Sequence, residues 1–218
     1  MRFFVIIAAI VIIPLSASAQ FNFGLRAGIN ANRFISSEEI YKSESTMLGP
    51  CGGLFFIFQK KFFSIQPEIL YSQKNGEYTY RTIQNSIDTV FHNGVSYLDI
   101  PIMFGLHAGR VIKLNFGPVL SFPVGENIYY ETGTNKVTIS EKIYKNASAG
   151  YQVGLTLVFD AISLEARYEQ SLGDIDNGFV VPDSDIFITP SLKNSLFQFT
   201  LAYRFLTPPD PSLPVSAP

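Results

Sequence analysis

The sequence contains a single cysteine, Cys51, among 218 residues. One thiol excludes an intramolecular disulfide, and a buried small residue is the expected role for it. A basic excess is also missing, since 16 Lys and Arg stand against 18 Asp and Glu. Without a basic footprint, no nucleic-acid partner is expected. Beyond the first twenty residues nothing approaches the ~18 consecutive apolar residues of a membrane helix. Yet 47% of the chain is hydrophobic and only 16% charged, a high apolar content for a soluble secreted protein.

The apolar N-terminus reads as a targeting segment. Arg2, the run FFVIIAAIVIIPL and the small residues Ala17, Ser18 and Ala19 have the layout of a secretory signal peptide, 1–19. The chain is therefore expected to be exported, most plausibly by a bacterium. Gln20 follows the cleavage site where a lipoprotein would carry cysteine. Losing Arg2 leaves 15 basic against 18 acidic residues, a net charge of −3, in about 199 residues that fit one domain.

Alternation with a period of two runs through nearly all of the remainder. Phe63, Ile65, Pro67, Ile69 and Tyr71 alternate with Ser64, Gln66, Glu68, Leu70 and Ser72. Six other stretches behave alike, at 21–30, 98–107, 112–122, 151–159, 162–169 and 197–205, and 47–58 makes an eighth in which Phe55 and Ile57 interrupt the polar face. Period two is the signature of strands with one apolar face. The connections are 32–46, 59–61, 76–94, 109–110, 125–147, 160–161 and 173–194, so long and short ones alternate. That rhythm predicts an all-β fold, an eight-stranded up-and-down antiparallel transmembrane β-barrel over 20–205, with long loops extracellular and both termini periplasmic.

A soluble, lipocalin-like barrel would share the alternation but point its apolar face inward. Volume decides against it. The apolar faces carry roughly thirty large side chains, whereas an interior of about eight strands is just filled by side chains or one small ligand. Aromatic residues also fall into two groups, at the turn ends (Phe21, Phe23, Phe58, Phe62, Phe63, Phe159, Tyr203, Phe205) and towards the loop ends (Tyr71, Phe122, Tyr151, Tyr168, Phe197), as two membrane girdles would. With lipid outside, parity places Arg26, Glu68, Asp99, Lys113, Glu165, Arg167 and Arg204 in the lumen. An unpaired buried charge costs several kcal/mol, so these are expected to form a salt-bridge network plugging the barrel. Gly24, Gly28, Gly105, Gly117 and Gly154 share that face and leave room for long side chains. Pro67, Pro101 and Pro118 each forfeit a ladder hydrogen bond and are expected to mark bulges or local distortions.

Catalytic and metal-binding patterns are weak. His107 lies beside a short turn and reads as structural. His92 lies in a long connection near Ser86, Asp88 and Ser96, a set from which a lipid acyltransferase or deacylase centre can be imagined, although a loop supplies such residues by chance far more often. The last connection carries Asp174, Asp176, Asp183 and Asp185, but Gly178 stands where a calcium loop needs Asp or Asn. Solvated loop acids are the reading taken. No cofactor, no metal and no enzymatic activity are expected.

The segments FNFGLRAGINAN, PEILYSQKNG, YLDIPIMF, LNFGPVLSF, GYQVGLTL, LEARYEQSL and FQFTLAYRF, in that order, resemble the PorT-like outer-membrane β-barrel family of Bacteroidetes. The resemblance covers nearly all of 21–205. It implies an eight-stranded outer-membrane barrel and little about activity, although the founding member is associated with protein secretion. Members of this kind often end on a terminal aromatic, whereas Phe205 is followed by LTPPDPSLPVSAP, a Pro-rich tail at 206–218 expected to be disordered and periplasmic. The function expected is that of a non-catalytic, monomeric surface barrel. Its partners would be outer-membrane lipid, the assembly machinery and an unidentified extracellular ligand. A lipid-modifying rim enzyme, a secretion or assembly component, and a narrow pore are the alternatives.

Overall fold

The computed structural model describes residues 20–36, 41–81, 88–132, 135–139, 143–180, 187–188 and 191–205. The segment 1–19, read above as a signal peptide, and the tail 206–218 lie outside the described residues. Eleven strands are present: β1 (Gln20–Ser36), β2 (Tyr41–Lys60), β3 (Phe63–Arg81), β4 (Asp88–Ala108), β5 (Ile112–Thr132), β6 (Asn135–Ile139), β7 (Ser148–Phe159), β8 (Ile162–Ser171), β9 (Phe179–Val180), β10 (Phe187–Ile188) and β11 (Leu192–Arg204). Eight of them, β1 to β5 with β7, β8 and β11, form the staves. Each pairs antiparallel with its neighbours, and β1 closes on β11, with Arg26 opposite Ala202 and Asn30 opposite Gln198. β6 pairs only with the far end of β5, and β9 with β10 form a separate small hairpin.

Alternation aims the side chains as the period demands. Leu25, Ile29, Ile69, Leu114, Val153, Leu164 and Leu201 are exposed on the outer wall, while Asn22, Gln66, Glu68, Asn115, Gln152 and Arg167 are buried inside. A soluble protein does not display so wide an apolar belt over so polar an interior; hydrocarbon is the solvent for which this surface is built. Aromatic rings gather near the tight turns, where Phe21 lies 5.3 Å from Phe58 and Phe23 lies 5.2 Å from Phe205. Towards the other end Tyr168 and Phe197 lie 5.1 Å apart.

The tight turns fall at 61–62, 109–111 and 160–161, with Lys61, Gly109 and Asp160 at positive φ. The long connections differ from expectation, because much of them is strand. β2, β3, β4 and β5 run for 20, 19, 21 and 21 residues, whereas β7, β8 and β11 have 12, 10 and 13. A bilayer needs only about 9–11 residues per strand. The surplus, at about 3.3 Å per residue, raises one side of the barrel into a wall roughly 20–30 Å taller than the other.

The prolines mark local distortions rather than bulges. Pairing is interrupted beside Pro67, Pro101 and Pro118, and the register on either side is unchanged. Register shifts occur instead between Ser43 and Ser45, between Thr46 and Cys51, and opposite Ser96 and Tyr97, where β5 carries the extra residue Val124. An extra residue reverses the facing of everything beyond it. This is why Val119 and Ser121 point inward below Val124 while Ile128 points inward above it.

Candidate functional site

Buried polar and charged side chains converge in the lumen, which has two levels. At the level nearer the turns, Arg26 on β1, Glu68 on β3, and Glu165 and Arg167 on β8 form a closed ring. Arg26 lies 3.3 Å from Glu68 and 2.8 Å from Glu165; Arg167 lies 2.5 Å from Glu68 and 2.8 Å from Glu165. Arg167 grips Glu68 with both terminal nitrogens, a bidentate geometry that fixes orientation as well as charge. β3 and β8 stand diametrically opposite each other, so this pair spans the barrel. Asn115 donates to Glu165 at 2.8 Å, and Gln152 accepts from Arg167 at 3.2 Å.

Above that ring, Lys74 is buried between Asp99 at 3.1 Å and Glu169 at 2.7 Å, and it lies 4.8 Å from the centre of the Tyr97 ring. Gln152 donates to Glu169 at 2.7 Å. Asn30 donates to Ser72 at 2.8 Å and accepts from Gln198 at 3.0 Å across the β1–β11 seam.

Of the seven charges that parity placed in the lumen, Arg26, Glu68, Glu165 and Arg167 meet one another, and Asp99 meets Lys74. Lys113 contacts no carboxylate: its ammonium donates to Gln66 at 2.7 Å, and Gln66 in turn donates to Glu68 at 2.5 Å. Arg204 sits at the turn end and donates to the carbonyl of Asp160. Lys74 and Glu169 were missing from the expected set although both stand at lumen-facing positions. Clearance at two glycines is evident, since a Cβ at Gly105 would collide with the Ser64 hydroxyl and one at Gly154 would come within 2.8 Å of the Arg167 chain.

The second level, towards the long connections, is apolar. Phe34, Phe91, Val95, Tyr97, Ile128 and Leu192 line it from the staves, and Ile143, Tyr144 and Ile175 enter it from the connecting segments. Two of those segments are clipped together. Tyr144 and Asp176 form an antiparallel bridge, Lys145 N donates to Ile175 O at 2.9 Å, and Asn177 N donates to Ile143 O at 2.8 Å. The Asp176 carboxylate accepts the Leu192 amide at 2.6 Å, and burial raises its pKa above the ordinary carboxylate value. No sequence signal pointed to this cap: most of its residues fall in stretches that read as connections, and Ile128 lies beyond the bulge that reverses parity.

His92 lies on β4 rather than in a loop. Its Nδ1 is 2.7 Å from Glu77, its Nε2 is 3.8 Å from Glu131, and its ring stacks on Tyr129 with centroids 4.6 Å apart. Ser45 donates to Glu77 at 2.7 Å. Serine and histidine thus share a carboxylate without touching, so a nucleophile paired with its base is not what this arrangement provides. Ser86 lies outside the described residues. His107 bonds the Ser64 hydroxyl at 3.2 Å. Among the described residues no group of three or more His, Cys, Asp or Glu is placed to hold a metal. Asp183 and Asp185 lie outside them.

A closed barrel of eight strands, apolar without and polar within, is the architecture of an outer-membrane β-barrel protein. Residues 16–177 match the family model described as outer membrane protein beta-barrel domain, and the chain belongs to that family of the bacterial outer membrane. No curated protein sequence matches it. Among solved structures, Neisserial surface protein A is 11% identical, with 84% of this chain and 97% of that one covered and a TM-score of 0.46. Ail, the attachment invasion locus protein of Yersinia pestis, is 12% identical, with 85% and 99% covered and a TM-score of 0.48.

Proposed function

We propose that this protein is a non-catalytic, monomeric surface barrel whose lumen is plugged and whose long-loop end is presented outside the cell for binding. The observation carrying this reading is the double filling of the lumen. A ring of two arginines and two glutamates spans it at one level, and a cap of aromatic and aliphatic side chains closes it at the next. Wide aqueous channels belong to barrels of about 16 strands, and an interior of about eight is filled by its own side chains. With the tight turns periplasmic, as such barrels are oriented, the tall wall of β2 to β5 stands outside the cell and both chain termini lie on the periplasmic side.

Within the family, the PorT-like resemblance to Bacteroidetes barrels is our finer assignment, and it brings no secretion role with it. The domain plan of signal peptide 1–19, barrel 20–205 and periplasmic tail 206–218 goes with that assignment, as do outer-membrane lipid and the assembly machinery as partners. Reconstitution into a planar bilayer tests the plug. The expected result is a silent bilayer at physiological salt; reproducible single-channel steps would overturn the reading in favour of a pore.

A further inference from the structure

We propose that the turn end of the lumen holds a binding site for a small monatomic anion, a halide such as chloride, centred on Lys113. Three observations support it.

First, charge does not balance there. Arg26, Lys113 and Arg167 are matched by only two carboxylates, Glu68 and Glu165, and both arginines use them, while Arg204 at the rim has Asp160 beside it. Lys113 is buried, and among the described residues its one hydrogen bond is to Gln66. Two of its three N–H donors are left over. A buried ammonium without an opposing charge is strongly disfavoured.

Second, there is a cavity at that place. It has a volume of about 20 Å³ and is lined by Arg26, Lys113, His107 and Arg204 with apolar and neutral polar neighbours, and no carboxylate faces it. Space of that size holds one water-sized particle. A single monatomic anion suits a space of that order.

Third, donors around it lack acceptors. Nε of Arg26, a side chain 3% exposed, has no hydrogen-bond partner, and neither has Nε of Arg204. Both residues line the cavity. An anion there accepts from Lys113 and the two guanidinium edges and cancels part of the surplus charge, as ion pairing does for the rest of the lumen. Gly105 keeps the place open, because a Cβ there would press on the Ser64 hydroxyl and on the Lys113 chain.

The test uses the full barrel in detergent micelles. Crystals soaked in bromide are expected to show an anomalous peak within hydrogen-bonding distance of Lys113 Nζ. The temperature of the heat-dependent gel shift is expected to rise and saturate with chloride at constant ionic strength, with the bulky anion gluconate as the balance. Lys113→Met should abolish both, and Lys145→Met, at the opposite end, should abolish neither. If Lys113→Met fails to fold, Arg204→Met serves in its place and should weaken the bromide peak. Absence of the peak from the unaltered barrel, or a peak only elsewhere, would overturn the proposal: the cavity would then hold water beside a neutral lysine. Neither result bears on conductance, so the plugged-barrel reading stands or falls separately.

Discussion

The two levels of the lumen are built on the same staves by opposite chemistry. Near the turns, partners come from across the barrel: Glu68 reaches Arg167 from the opposite wall, and each charge depends on the register of every strand between. Near the long connections, Phe34, Tyr97 and Ile128 meet Ile143, Tyr144 and Ile175, and those last three belong to short clipped segments at the mouth. The first level is a directional network that tolerates no missing member. The second is close packing that can give way locally. Lys74 joins them, with its ammonium between Asp99 and Glu169 and beside the Tyr97 ring. Removing parts from each level should therefore have different consequences.

The largest effect is expected from Glu68→Ala, which strips both arginines of one partner. Breaking a buried ion pair from one side costs about 3–5 kcal/mol, enough to prevent stable folding or to lower sharply the urea midpoint of the barrel in lipid vesicles. Phe34→Ala should come next. Truncating a buried Phe costs up to about 3–5 kcal/mol, but here the loss falls on the cap. Protease nicking within 143–147 and 174–178 should speed up while the heat-dependent gel shift stays near its original temperature. Equal loss of the whole barrel would erase the contrast between levels.

Gly154→Ala should cost about 1–3 kcal/mol, because its Cβ would lie 2.8 Å from Arg167 Cγ and 2.9 Å from a backbone carbonyl. Gly125→Ala, whose Cβ would lie 3.7 Å from Ser96, is the control expected to stay within about 0.5 kcal/mol.

The smallest effect is expected at Asp176. Its pKa is raised by burial in the folded cap, so the native state holds the proton more tightly than the unfolded chain does. The cap should tighten as pH falls from neutral through that raised pKa, and loosen as pH rises. Asp176→Asn keeps an oxygen for the Leu192 amide and should remove this dependence. Hydrogen exchange at Leu192 between mildly acidic and neutral pH is the measurement.

What was legible in the sequence follows the same division. Across the lipid zone the outer face must be apolar, so period two exposed the strands, the closed barrel and the lumen-facing Arg26, Glu68, Glu165 and Arg167 as candidates. Beyond it no solvent imposes that rule. The far ends of β3, β4 and β5 therefore read as loops, and the bulge at Val124 turned Ile128 inward unannounced. Lys74 and Glu169 escaped for a different reason. Both have lumen parity but stand at the loop-side ends of the stretches that read as strand, next to the connections. The prolines did mark local interruptions of pairing, although a lost hydrogen bond did not require a lost register.

The seam between β1 and β11 has a consequence for how the molecule forms. Asn30 and Gln198 are 168 residues apart, and Glu68 and Arg167 are 99 apart, so the second pair must wait for β8 and the first for β11, the last two staves. Bringing such distant segments together is slow, and nothing is gained from them beforehand. Until then the lumen charges remain hydrated, and water leaves them in a single late event when the cylinder shuts. A last strand docked one residue out of step would turn Gln198 and Thr200 towards lipid and Phe197 and Phe199 towards the ions, an arrangement that neither solvent accepts. Shutting the cylinder thus proofreads the placement of every strand at once.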